Sequence, residues 1–239
     1  MSHDLAESVR REQRAWANSE SIEFFQNHRS RTEELYPSEW FFLPEVVRRS
    51  ASCLDVGCAA GGFSRIMKSF NPALQYTGVD VNPEFVQLAC ERYPGDRFVV
   101  GDGIHFATPP ESFDLVHSSG ILHLNSCHVE IVRACYEQTR RFLLCDFRLT
   151  RGPALVGSMR LDFGGTVVAG ELPYFVVNVD ELLDLLKSLT PMPRLIRCRG
   201  YYHPPSAAAS LPLNEVLMAF FLIEKGRGDG PPQVELELP

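Results

Sequence analysis

Leu54-Asp55-Val56-Gly57-Cys58-Ala59-Ala60-Gly61-Gly62-Phe63 is the stretch on which the fold turns. It reads as the end of a short apolar strand, 52–57, that runs through a glycine-rich turn into a helix over 63–70. Such a turn lets a ligand approach the backbone and meet the helix N-terminus, where free N–H groups attract it. Outward from it the alternation continues. Residues 74–81 read as a second strand, and Asn82-Pro83-Glu84 as the capped start of a helix. Residues 97–101 and 113–118 read as strands three and four, 128–139 as a helix and 141–147 as strand five. Parallel neighbours need crossovers, so this pattern predicts an α/β chain: a doubly wound, mostly parallel sheet with helices on both faces.

The flanks follow other rules. Residues 1–45 are polar with intermittent apolar contacts and read as an N-terminal helical cap; within it, Pro37 and Pro44 bracket an aromatic turn. The sheet domain spans 46–225. After Phe147 the alternation lapses for about thirty residues, long for a connection, so 148–178, with its glycines 152, 157, 164, 165 and 170, reads as a functional insertion. A helix over 180–189 and strands over 195–202 and 216–224 follow, and the Gly/Pro/acidic tail, 226–239, is expected to be disordered.

Composition excludes several classes. Of 239 residues 45% are hydrophobic and 22% charged, enough for a core and too apolar for global disorder. A formal charge of −7 disfavours a general nucleic-acid binder, which needs a basic face. The longest apolar run, 216–223, is too short to cross a bilayer, and no signal peptide is read at the N-terminus. Seven scattered cysteines without a Cys-x-x-Cys pair fit a reducing compartment, so a cytoplasmic protein is expected.

Two ligand classes use a turn of this kind, and the glycines do not separate them, since Ala59 replaces the middle glycine of both templates. Asp55 does: a carboxylate beside the turn suits a cationic amino group and repels a pyrophosphate. Asp80 ends the second strand and Asp102 the third, in Val-Val-Gly-Asp-Gly. With Phe113-Asp114-Leu115-Val116-His117-Ser118 and Leu122-His123-Leu124, these residues resemble the class I S-adenosylmethionine-dependent methyltransferases. The resemblance implies a Rossmann-like, seven-stranded fold with an antiparallel last strand and S-adenosyl-L-methionine as cofactor, released as S-adenosyl-L-homocysteine. It implies a cofactor site of Asp55 at the methionine amino group, Gly57, Cys58, Ala59 and Gly61 in the turn, and Asp80 on the ribose. It adds Val81 on the adenine, Asp102 and Gly103 at the adenine amino group, and His117 and Ser118 after strand four.

Methyl transfer from a sulfonium is an in-line displacement that rests on positioning, with a base needed only where the acceptor must lose a proton. His117 and His123 are the candidate bases. Tyr36, Trp40, Arg148 and Tyr174 are the candidate acceptor contacts, Tyr36 and Trp40 by closing over the sulfonium, Tyr174 as part of an apolar lining and the arginine by holding an acidic group. No metal is expected, because the histidines lack ligand spacing. The segment after strand four carries neither the Asn/Asp-Pro-Pro-Tyr of the amino methyltransferases nor the Pro-Cys of the cytosine C5 enzymes. Of the metal-dependent catechol pattern only Asp146 survives. A small-molecule acceptor is favoured, with O-methylation of a natural-product or sugar-like hydroxyl as the expected reaction. An RNA or protein methyltransferase and a non-catalytic S-adenosylmethionine-binding protein are the alternatives, a dehydrogenase is disfavoured by Asp55, and a homodimer is allowed.

Overall fold

In a computed structural model of the chain, which describes residues 11–12, 14–16, 18–163, 166–226 and 230–239, strand β1 (Ser52–Val56) lies at the centre of the sheet. β2 (Gln75–Asp80) and β4 (Phe113–Ser118) flank it, both parallel. Residues 53–56 and all of β4 are buried, as expected of parallel strands covered on both faces. β3 (Arg97–Val100) pairs beyond β2, and β5 (Thr139–Thr150) runs parallel to β4. β10 (Val216–Glu224) is antiparallel to both β5 and β8 (Leu195–His203).

One face of the sheet carries α2 (Pro37–Arg48), α3 (Gly62–Phe70) and α4 (Pro83–Arg92), packed through Phe42, Val46, Ile66 and Ala89. The other carries α5 (His128–Gln138) and α6 (Val179–Lys187), through Ile131, Val132, Leu182 and Leu186. α1 (Ser19–Asn27), capped by the Asn18 side chain on the Ser21 N–H, belongs to the N-terminal cap. Among the described residues no helix is long and apolar enough to cross a membrane.

Two expectations need correction, and a third gains its structure. The tail is not disordered where it is described: β11 (Gln233–Glu237) adds to β8 in parallel, with Arg197 on Glu235 and Arg199 on Glu237, and the sheet path becomes β11-β8-β10-β5-β4-β1-β2-β3, eight strands rather than seven. Alternation of Val234 and Leu236 with Glu235 and Glu237 was the missed signal. The aromatic turn between Pro37 and Pro44 is helical: Pro37 stands at the first helical position, where its ring is tolerated, and Pro44 lies within α2. The segment read as an insertion is a hairpin of β6 (Leu155–Phe163) and β7 (Thr166–Asn178), joined at its edge by β9 (Ala209–Ser210). Gly164 and Gly165 of that reading, residues 1–10, 13 and 17 of the cap and 227–229 of the tail lie outside the described residues.

Candidate active site

The C-terminal ends of β1, β2 and β3 open onto one cavity of about 590 Å³, where the strand order reverses between β1 and β4. Gly57, Ala59, Asp80, Val81, Asp102 and Gly103 line it, so six expected cofactor positions converge. Gly57 is left-handed (φ 81°), and its N–H and that of Cys58 both donate to the Val79 carbonyl, 2.8 and 3.1 Å away, tying the turn to the end of β2. Ala59, also at positive φ (44°), donates its N–H to Asp80 Oδ2 at 2.9 Å. The Asn82 N–H donates to Asp80 Oδ1 at 2.9 Å. One lone pair on each oxygen is thereby used and others remain. Burial pushes the Asp80 carboxyl up to about 6 despite the N–H donors of Asn82 and Ala59. Such a carboxylate gains from further donors. Asp102 spends part of its capacity on the Ile104 and His105 N–H groups and on the His105 ring, and this keeps it ionised below the usual range although burial opposes it.

Five expected cofactor positions do not reach the cavity. Asp55 is 2% exposed, and its carboxylate is taken by the Tyr76 hydroxyl and by His117 Nδ1 at 2.7 Å, so the structure gives it no surface toward a methionine amino group. His117 is fully enclosed between Asp55 and Glu39, whose Oε1 lies 3.4 Å from its Nε2. Burial alone would lower its pKa, but the two carboxylates outweigh it and lift His117 to about 9. A charged imidazole without access to the cavity is not a base, and this correction applies to both roles expected of it. Cys58 is a buried filler against Gly78, its thiol pushed up by burial. Gly61 caps α3 at φ 77°, where a Cβ would meet the Phe98 ring at 2.9 Å; its reason is packing. Ser118 is buried, and Ser119 and Gly120 line the cavity instead.

Beyond the turn the cavity continues under the N-terminal cap and the β6–β7 hairpin, walled by Tyr36, His123, Arg148, Met159 and Tyr174. Trp40 is the exception among the expected acceptor contacts: it is 49% exposed and packs against Phe70 on the outside of α2. His123 is buried and its ring meets Tyr174 at 5.1 Å. Burial, with the nearby Arg148 charge, holds it well below the usual imidazole range, so it is neutral. Arg148 is anchored through Nη1 to Asp146 at 2.5 Å, and Asp146 accepts the Gly120 N–H at 2.7 Å. Among the described residues no cluster of His, Cys, Asp or Glu could hold a metal ion.

Two contributors carry no sequence signal. Arg29 (φ 57°) pairs with Glu39 at 2.8 Å, donates to Ser119 Oγ at 3.1 Å and lies over the Tyr36 and Phe63 rings. Glu39 is fully buried; burial would raise it, but Arg29 and His117 hold it below the usual carboxylate range. Arg29, Glu39, His117, Asp55 and Tyr76 thus form one buried chain from the cap to the second strand. Only a contact across about 90 residues places Arg29 here, and one sequence cannot reveal that.

Residues 54–143 match the family model described as a methyltransferase domain. The chain is similar to phthiotriol/phenolphthiotriol dimycocerosates methyltransferase of Mycobacterium leprae, 35% identical over 101 residues, covering 41% of this chain and 33% of the relative. It is also similar to 2-methyl-6-phytyl-1,4-hydroquinone methyltransferase of Synechocystis, 40% identical over 84 residues, covering 34% and 26%. The chain therefore spans about a third of the length of the curated relatives it matches. Burkholderia thailandensis 1,6-didemethyltoxoflavin-N1-methyltransferase, solved with 1,6-didemethyltoxoflavin and S-adenosylhomocysteine, shares the fold at a TM-score of 0.61 and 14% identity over 95% of this chain and 92% of that one. A SAM-dependent methyltransferase of Methanosarcina mazei does so at 0.58 and 18% over 80% and 98%. The strand order, the turn that ends β1 and these matches agree: the chain has the fold of the class I S-adenosylmethionine-dependent methyltransferases, and its residues 54–143 match a methyltransferase domain.

Proposed function

We propose that the protein transfers a methyl group from S-adenosylmethionine to a hydroxyl of a small, natural-product-like molecule. The observation that carries this reading is the single cavity that joins the strand ends at Gly57, Asp80 and Asp102 to a walled chamber holding His123, Arg148 and Tyr174. The residues fit the cofactor. Asp80 keeps lone pairs for two ribose hydroxyls, Val81 offers an apolar side for the adenine, and the left-handed Gly57 turns the chain at the edge of the cavity. The bound cofactor supplies an electrophilic methyl on a cationic sulfur. The chain orients it, excludes water and receives the acceptor's proton at His123, the buried neutral base on the wall. A chamber lined by Phe25, Met159, Leu161 and Tyr174 suits an apolar, flat acceptor better than a polyhydroxylated sugar.

Calorimetric titration with S-adenosylhomocysteine, with NADH as control, tests the donor site: uptake of the first alone is expected, and uptake of NADH alone would refute the reading. Affinity should also depend on pH. The ribose hydroxyls favour the ionised Asp80, whose pKa is about 6 before they bind. Affinity should therefore be flat above about pH 7 and fall about tenfold per unit below about pH 6. An affinity constant from pH 5 to 8 would show that Asp80 is not the ribose ligand. Gly57→Val should abolish uptake, though for a reason the sequence did not show. At φ 81° any Cβ is strained, and it would stand 2.6 Å from Ile121 Cγ2, so the turn itself must move. Calorimetry on a folded Gly57→Val protein that still bound S-adenosylhomocysteine would contradict this.

A further inference from the structure

His123 lies on the short helical turn Leu122–Leu124 and faces the cavity, yet its buried Nδ1 has no hydrogen-bond partner. Buried polar groups are normally paired, because an unmade hydrogen bond costs the full desolvation of the group. An unpartnered imidazole in a cavity wall points to a ligand that completes it. Beside it stands Arg148, 5% exposed and held by Asp146. A guanidinium carries five N–H donors, so this partner leaves others for the cavity. The wall therefore offers a neutral proton acceptor next to a fixed cation.

That pair selects among hydroxyls. An aliphatic alcohol is about as weak an acid as water, and burial together with Arg148 has made His123 a weak base. A phenol ionises at about 10, and its oxyanion is what a fixed guanidinium stabilises. Other charged groups share the wall. Asp80 and Asp102 stand at the strand ends and accept N–H groups there, Arg29 is paired with Glu39, and Glu34 accepts the N–H groups of Ser30 and Arg31 and lies beside His28; Arg160 adds a further cation, and His203 Nδ1 pairs with the Pro204 carbonyl.

Resting on the donor-site reading above, we propose that the acceptor is a planar phenol or enol that presents its acidic hydroxyl to His123 and Arg148. The hydroxyl oxygen forms the new O–CH₃ bond as the S–CH₃ bond breaks, the bonding pair going to sulfur. The hydroxyl proton passes to the His123 imidazole and from there to solvent, while Arg148 holds the negative charge that develops on oxygen. Phe25, Met159 and Tyr36 supply flat or deformable apolar sides for the ring.

The test uses the full chain saturated with S-adenosylhomocysteine, 4-nitrophenol as probe and 4-nitrobenzyl alcohol as its aliphatic match. The phenol should bind at least tenfold tighter than the alcohol. Its phenolate absorbance should rise on binding, with an apparent pKa lowered by roughly one unit or more, as a cation within a few ångströms does. Arg148→Met should remove that shift. Since it also strands Asp146, His123→Phe is the second variant: it keeps the ring shape, and it should weaken the phenol several-fold while leaving S-adenosylhomocysteine affinity unchanged. Equal binding of phenol and alcohol, an unshifted phenol, or no phenol uptake by a protein that holds S-adenosylhomocysteine would overturn the acceptor proposal and leave the donor site standing. Failure to take up S-adenosylhomocysteine would instead overturn the donor-site reading on which it rests.

Discussion

Replacing His117 by leucine should lower the stability of the protein by about 3–5 kcal/mol, the cost of removing one partner from a buried ion pair. The imidazolium is fully enclosed and stands 2.7 Å from Asp55 and 3.4 Å from Glu39. Glu39 would keep Arg29, but Asp55 would keep only the Tyr76 hydroxyl for a buried negative charge. A pH series of chemical denaturation gives the identifying signature. In the wild type the folded pKa of His117, about 9, lies above the ordinary value of 6.5. Its stabilisation is therefore complete below about pH 6.5 and is lost as pH rises through about 9, a fall of about 3 kcal/mol at 1.4 kcal/mol per unit. His117→Leu should lose that alkaline fall. An alkaline fall of the same size in the variant would mean that another group titrates there.

Asp80→Ala should weaken S-adenosylhomocysteine binding by about 1.5–3 kcal/mol, or roughly 10- to 150-fold, the range for hydrogen bonds to a charged group. The change should not unfold the protein. Alanine strands the N–H groups of Ala59 and Asn82, at about 1–3 kcal/mol for a buried donor, but it also removes a carboxylate whose burial is unfavourable, so the two effects largely offset. Calorimetry and thermal melting together decide the matter. Unchanged affinity in a protein that melts normally would show that Asp80 does not hold the ribose, and a large drop in melting temperature would assign it a structural role.

The strands around Gly57 were legible because local rules set them: apolar runs of four to six residues, a left-handed glycine, and Asn82-Pro83 to start a helix. Asp80, Val81 and Asp102 were legible as ends of successive parallel strands, which by construction open on one side of the sheet. What failed was the direction of side chains within β1 and β4. Asp55 and His117 sit opposite each other in register, one residue before the strand ends turn outward, and so face inward rather than toward the cavity. Separating Asp55 from Val56, which does line the cavity, requires the pleat, which a motif does not contain. Trp40 failed because a proline-bounded segment was taken for a turn; as part of a helix, residue 40 points away from the face that carries Glu39, Phe42 and Leu43. His123 and Arg148 were singled out by residue type, but their pairing depends on Asp146 and Tyr174, which reach them from β5 and β7.

The raised Asp80 carboxyl also bears on the life of the protein in a cell. At neutral pH its ionised form burdens the empty fold by about 3 kcal/mol, because burial has lifted the carboxyl from the usual 3.8 to about 6. An adenosyl ligand that supplies two hydroxyl donors lifts that burden and adds its own binding energy to the folded side alone. Empty molecules then open more often and meet proteases sooner than loaded ones, so the steady amount of this protein should follow the supply of such a ligand.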